Sequence, residues 1–296
     1  MRLDFIDKQE FMHSKCVSEF TSFFSQIILG KRKIHCEYVP KKDKRNKFRV
    51  SSFEEGLKQY SWAGQSLSDT QKVIKLLSSQ LSLAIEENNE LLMLQGALAI
   101  LEWGQVYRGC IDWLLSHSEK GRLIQSIVHS SGIIDGTVPI SSREFQTFFD
   151  RNGHYRCNSG TTKIFALCSK QSVIYDGRVA CALGMLVHDF LIESHIDQLP
   201  PELNFLMDAS QRNPSKYTSS NYLFASKTDS VNALYNQAIS NFKLNLLLQK
   251  ITQKLDKQLF CLETRQEQLR AIEASLFMIG YQVNTARYEK TGRFLI

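Results

Sequence analysis

RNGHYRCNSGTTKIFALCSKQSVIYDGRVACALGMLV, residues 151–187, is the stretch whose reading decides the fold. Between 150 and 162 its Asn, Gly, Ser and Thr content marks a loop. NSGTT then leads straight into a short helix, expected from Lys163 to Cys168. SVIY (172–175) reads as extended chain. Asp176 opens the next helix, where Val179, Ala182, Leu183 and Leu186 recur at i, i+3, i+4 and i+7. Chemistry therefore gathers at two neighbouring helix starts. The N–H groups and hydroxyls of NSGTT are expected to face an anion. Arg156 stands just upstream, Lys163 lies in the first helical turn, and Asp176 follows thirteen residues after Lys163.

Outward from this stretch, helical signals dominate. Residues 5–29 form an apolar-rich segment (Phe5, Phe11, Phe20, Phe23, Phe24, Ile27, Ile28) that stops at Gly30 and predicts one helix. IHCEYV and KFRVSSF, around the next segment, have strand character. Ser68 or Asp69 is placed to cap a helix carrying Val73, Ile74, Leu76, Leu77 and Leu81. A Leu-, Ala- and Met-rich helix is expected from Glu90 to Trp103, with shorter ones within 111–130 and 142–149. Pro200-Pro201 closes the region after Asp176, and 210–221 is a long polar loop. Two long helices, 230–256 and 264–280, follow, the second with Leu269, Ile272, Leu276 and Ile279 on one face. The expected fold is mainly α and compact. Residues 1–60 are expected to pack as an N-terminal helix and basic segment on a main body, 61–296.

Composition narrows the function classes. The chain has 296 residues, 43% hydrophobic and 22% charged, which excludes a disordered polymer. Nowhere do roughly 18 apolar residues run together, as a membrane span requires. MRLDFIDKQEF has no apolar signal-peptide core, and the seven cysteines show no CxxC pair or zinc spacing. A reducing cytoplasm is the expected setting, with no membrane partner. The absence of Walker, Rossmann, G-x-S-x-G and HExxH patterns leaves no expected cofactor or metal. The formal charge of +6 is concentrated: residues 31–49, KRKIHCEYVPKKDKRNKFR, hold nine Lys/Arg against Glu37 and Asp43. Lys41, Lys42, Lys44 and Arg45 in that block are candidate phosphate contacts, through salt-sensitive counterion release.

NSGTTKIFAL followed by IYDGRVACALG resembles the helix-hairpin-helix DNA glycosylases of base excision repair. That family places a backbone-gripping hairpin of small residues, a lysine in the hairpin's second helix in its bifunctional members, and a carboxylate at a following helix start. The match spans about 40 of the 296 residues, and the family's hairpin Gly-x-Gly is reduced here to Gly160 alone. The resemblance implies a two-lobed helical bundle with its motif lobe at about 105–195. It implies DNA as partner, presented as a duplex with an extruded base, and hydrolysis of an N-glycosidic bond to leave an abasic site. Asp176 takes the place of the catalytic aspartate and Lys163 that of the nucleophilic lysine. Arg156, Asn158, Ser159, Gly160, Thr161 and Arg178, with Arg212 and Asn213 of the second loop, become candidate DNA contacts. Trp62, Trp103, Tyr107, Tyr155 and Tyr175 are candidate walls for an extruded base. So divergent a member fits an enzyme aimed at modified DNA, as in defence against phage.

Each of these residues also has a structural reading. Asp176 is a good helix N-cap, worth about 1 kcal/mol. Lys163 fits a solvent-facing helical position, and Trp103 and Tyr107, one turn apart, fit a core. Two other functions remain open on this sequence. One is a nucleic-acid-binding module without catalysis, and the other is a helical protein-interaction scaffold.

Overall fold

Side-chain caps decide where the helices start. The computed structural model describes residues 1–34, 36–38, 48–107, 109–150, 154–207, 222–226, 231–255, 260, 262 and 264–280. Asp7 caps α1 (Lys8–His13), its Oδ1 accepting from the Gln9 and Glu10 amides at 2.8 and 2.9 Å. Ser14 then leaves helical geometry and caps α2 (Lys15–Ile28). The single helix expected over 5–29 is therefore two, broken by a serine that ends one and begins the other. After α3 (Phe53–Lys58), α4 (Leu67–Glu86) starts slightly earlier than expected. Its cap is Ser66, and Asp69 sits in the first turn bonded to that hydroxyl.

The next helices follow the expected order: α5 (Glu90–Gly104), α6 (Ile111–Glu119), α7 (Leu123–Ile134), α8 (Ser142–Phe149) and α9 (Thr161–Cys168). The carboxylate of Glu90 accepts the Leu123 amide at 2.9 Å, so α5 caps α7 from outside. Then come α10 (Gly177–Glu193), α11 (Ala233–Lys254) and α12 (Arg265–Ile279), the last opened by a reciprocal Thr264–Glu267 capping box. Strand content among the described residues is three short pairs. Cys36–Tyr38 (β1) runs antiparallel to Phe48–Val50 (β2), with Cys36 opposite Val50. The others are Ser61–Trp62 (β3) with Gln65–Ser66 (β4), and the parallel Leu206–Met207 (β5) with Ala225–Ser226 (β6). The molecule is mainly α.

Two hydrophobic cores organise these helices. The smaller holds Leu77 and Leu81 of α4, Ala97 and Leu101 of α5, Trp113 of α6, Ile127 of α7, and Ile164 and Leu167 of α9. The larger joins Phe20 and Phe24 of α2, Phe53 of α3, Phe145 of α8, Leu183 of α10, Phe242 of α11 and Ile272 of α12. Leu3, Phe11, Phe20, Phe24 and Phe53 of the N-terminal region thus belong to the larger core. Helix α9 serves both, since Phe165 enters the larger core while Ile164 and Leu167 enter the smaller.

Helix α11 is buried on every face from Tyr235 to Thr252, polar residues included. Those polar groups replace water for irregular backbone that would otherwise lose its partners. Asn236 accepts from the Leu3 amide at 2.9 Å, Gln249 donates to the Asp135 carbonyl at 2.8 Å, and Lys250 donates to the Met12 carbonyl at 2.6 Å. Among the described residues, no helix is long and apolar enough to cross a membrane.

Candidate functional site

The extended segment 172–175 forms no strand ladder, so its backbone groups are met by side chains of α11 and α12. Asn245 accepts from the Val173 amide at 2.9 Å, and Glu273 accepts from the Ile174 amide at 2.7 Å. Gln237 donates to the Tyr175 carbonyl at 2.5 Å, and Thr162 of α9 approaches the same carbonyl at 3.4 Å. The segment is pinned at three consecutive residues and delivers Asp176 to the start of α10. There, Oδ1 of Asp176 accepts the Arg178 and Val179 amides at 2.8 and 3.0 Å. Among the described residues, no hydrogen bond engages its Oδ2.

A cleft of ≈ 960 Å³ opens where the two cores meet, and Asp176 lines it together with Lys163. One wall comes from α4, whose Gln71, Lys72, Lys75 and Ser79 line it, and the other from α12 with Arg270, Glu273 and Phe277. Trp62, Trp103 and Tyr60 complete an aromatic end. The Trp62 indole N–H donates to the Trp103 carbonyl at 3.0 Å, and the two rings meet edge to face at 6.5 Å. Phe277 meets Trp62 edge to face at 5.5 Å and carries the Arg178 guanidinium 4.0 Å above its ring.

Lys163 is 4% exposed and so is not the solvent-facing lysine of the structural reading. Its Nζ donates to the Ser159 carbonyl at 3.0 Å, and its stem lies against Gly104. A Cβ on Gly104 would come within 2.4 Å of Lys163 Cδ. Glu273 is held by Arg270 at 2.7 Å, and burial raises its carboxyl above the ordinary range. The Arg270 charge and the Ile174 amide oppose that rise, while the negative charge of Asp176 adds to it. Burial, reinforced by the charge of Glu273, likewise raises the Tyr60 hydroxyl.

The NSGTT loop is arranged differently from the expectation of open amides. Asn158 Oδ1 accepts from the Gly160 and Thr161 amides at 2.9 and 3.0 Å and receives the Cys110 thiol at 3.2 Å. Gly160 and Thr161 are buried, and a Cβ on Gly160 would lie 2.7 Å from Cys110 Sγ and 3.1 Å from the Val106 carbonyl. This glycine is there for packing. Asn158 acts as an internal cap, and Ser159 presents its carbonyl to Lys163, so the start of α9 offers its amides to the protein and not to a phosphate. Arg156 is half-buried against Gly109 and does not line the cleft. Burial pushes the neighbouring Cys157 thiol upward, away from reactivity.

Of the aromatic candidates, Trp62 and Trp103 line the cleft and three tyrosines do not. Tyr175 is fully buried, its hydroxyl donating to the Leu206 carbonyl at 2.8 Å. Tyr155 packs into Phe148 and His129, with ring separations of 4.8 and 5.6 Å. Tyr107 is 49% exposed on a separate shallow depression beside Ile111. Lys41, Lys42, Lys44, Arg45, Arg212 and Asn213 lie outside the described residues. Sequence reading missed Tyr60, Arg270, Glu273 and Phe277. One signal was available: Glu273 falls inside the apolar face of α12, four residues after Leu269 and one after Ile272. Among the described residues, no group of three or more His, Cys, Asp or Glu side chains is placed to hold a metal ion. No family model, no curated protein and no solved structure matches the chain.

Proposed function

We propose that this cleft hydrolyses the N-glycosidic bond of a modified or damaged base in DNA and leaves an abasic site. The observation that supports the reading is a single juxtaposition. Asp176 and Lys163, which the glycosylase resemblance pairs from separate segments, line one cleft with Trp62 and Trp103. Its volume, ≈ 960 Å³, suits an extruded nucleotide, at the upper end of the about 300–1,000 Å³ common for small-molecule sites. A base taken out of the stack would meet aromatic walls there.

In the proposed reaction the bond from the base nitrogen to C1′ breaks, and its electron pair leaves with the base. Positive charge develops on the sugar, and the Asp176 carboxylate stabilises it at short range in a partly desolvated site. A water oxygen then bonds to C1′ and keeps one hydrogen as the new hydroxyl, while the one proton it releases passes to the departing base nitrogen. Lys163 is tied to the Ser159 carbonyl as a donor. That bond supports hydrolysis over attack by the amine, so the strand stays intact. Duplex attraction would come from the 31–49 basic block through its phosphate-neutralising charge.

The test incubates the protein and Asp176→Asn with DNAs carrying ordinary, damaged and phage-type modified bases. Alkali-labile sites made by the wild type and lost in the variant are expected, with no borohydride-trapped adduct at Lys163. DNA binding without such sites in either protein would replace this reading with that of a binding module.

A further inference from the structure

The Arg270–Glu273 pair does something that neither residue does alone: it ties together the two segments that bear the candidate chemistry. Both side chains belong to α12, on the larger core, and are about one-tenth exposed. Arg270 Nη1 and Glu273 Oε2 meet at 2.7 Å. The same Oε2 accepts the amide of Ile174, two residues ahead of Asp176. The other arm of the guanidinium, Nη2, donates to the carbonyl of Ala166, three residues after Lys163 on α9. Ala166 and Ile174 belong to the smaller core. One ion pair on one helix therefore grips the Asp176 segment with its anion and the Lys163 helix with its cation, across the junction of the two cores.

We infer that Glu273, locked by Arg270, is a positioning residue that fixes the Asp176 carboxylate relative to Lys163 in the cleft. The inference rests on the glycosylase reading for what Asp176 does once fixed. The geometry of the pair also explains an otherwise costly choice. A buried ion pair gains little over apolar packing unless its remaining hydrogen bonds are made. Here the guanidinium and the carboxylate each make one further bond, to backbone that no sheet satisfies.

The excised base is not needed to test this. A duplex carrying a pyrrolidine in place of one deoxyribose presents a cation where the reacting sugar would develop one. A duplex with neutral tetrahydrofuran at the same position is its control. The ratio of the two affinities reads how well the Asp176 charge is aimed, because overall folding and phosphate contacts affect both probes alike. The wild type is expected to prefer pyrrolidine strongly, Asp176→Asn to abolish the preference, and Glu273→Ala and Arg270→Gln to lower it at least about ten-fold. Glu273→Gln, whose amide oxygen still accepts from Ile174, should fall between, and it serves if the alanine variant does not fold. Full preference retained in Glu273→Gln and in any folded Glu273→Ala would overturn the inference and leave the glycosylase reading standing. No preference in the wild type would overturn that reading and the inference with it.

Discussion

The starts of α9 and α10 look alike in the sequence and are opposites in the structure. Both offer a polar side chain ahead of an apolar helix. At α9, Asn158 turns back on its own loop and occupies the first amides, while Gly160 is wedged among Cys110, Leu101 and Val106. At α10, Asp176 caps with Oδ1 alone and stands on the wall of a cleft. The lesson is that a capping residue carries chemistry only if its second oxygen is left over and the backbone behind it is held. Asp176 meets both conditions, whereas Asn158, though its backbone is held by Thr161 and Thr162, has no second oxygen to spare.

The sharpest way to break this contrast is Asp176→Asn. Asparagine caps about as well as aspartate, so the unfolding free energy should change by well under about 1 kcal/mol. Abasic-site formation should nevertheless fall by about 10²–10³-fold or more, as expected when a charge aimed at the reacting centre is lost. A comparable loss in stability would make Asp176 a cap like Asn158. Gly160→Ala is the counterpart at α9. Forcing a methyl against Cys110 and the Val106 carbonyl should cost about 1–3 kcal/mol in a urea titration. Asn158→Ala should cost about 1 kcal/mol and leave the salt dependence of DNA binding unchanged, because its amides face inward. A shallower salt slope in that variant would return the loop to the DNA interface.

One further expected effect lies away from both helix starts and serves as a control for them. Lys243 of α11 is buried, donates to the Pro201 carbonyl at 2.6 Å, and has its pKa lowered by burial from 10.5 to about 7. Between those values the unfolded chain binds a proton that the folded chain does not, so stability rises with pH. Cys36 works in the other direction: burial raises its thiol from 9.0 to about 12, and stability is lost above pH 9. The melting temperature should therefore climb from pH 7 to 9, level off between 9 and 10.5 where the two groups oppose each other, and decline above 10.5. Lys243→Met should flatten the climb without changing the pH dependence of the cleft.

Legibility from sequence followed locality. Helices α5, α8 and α12 begin and end within a residue or so of their expected bounds, because each has a strong cap or stop beside a periodic apolar face. The break at Ser14 was hidden because the apolar residues on its two sides suggested one continuous helix. Lys163 and Asp176 could be singled out from one short stretch. Glu273 and Arg270 could not, since their role depends on meeting Ile174 and Ala166, roughly a hundred positions away in the chain. The three tyrosines show the same limit. An aromatic residue beside a polar loop reads the same whether its ring faces a cavity, as Trp103 does, or closes a core, as Tyr175 does.

The two cores also differ in when they can form. The smaller draws on residues between Leu77 and Ile174, most of them in helices consecutive along the chain. The larger requires α11 to meet the first turns of the molecule, as in the Leu3–Asn236 and Met12–Lys250 bonds, which span 233 and 238 positions. Closing such distances is entropically slow, while local helical pairs form early. The chain is accordingly expected to assemble from its middle, with the helix carrying Lys163 formed before α12 meets the Ile174 segment. On this order the cleft is a late product of folding, and under the proposed reading a half-made chain would expose no finished hydrolytic centre to nucleic acid.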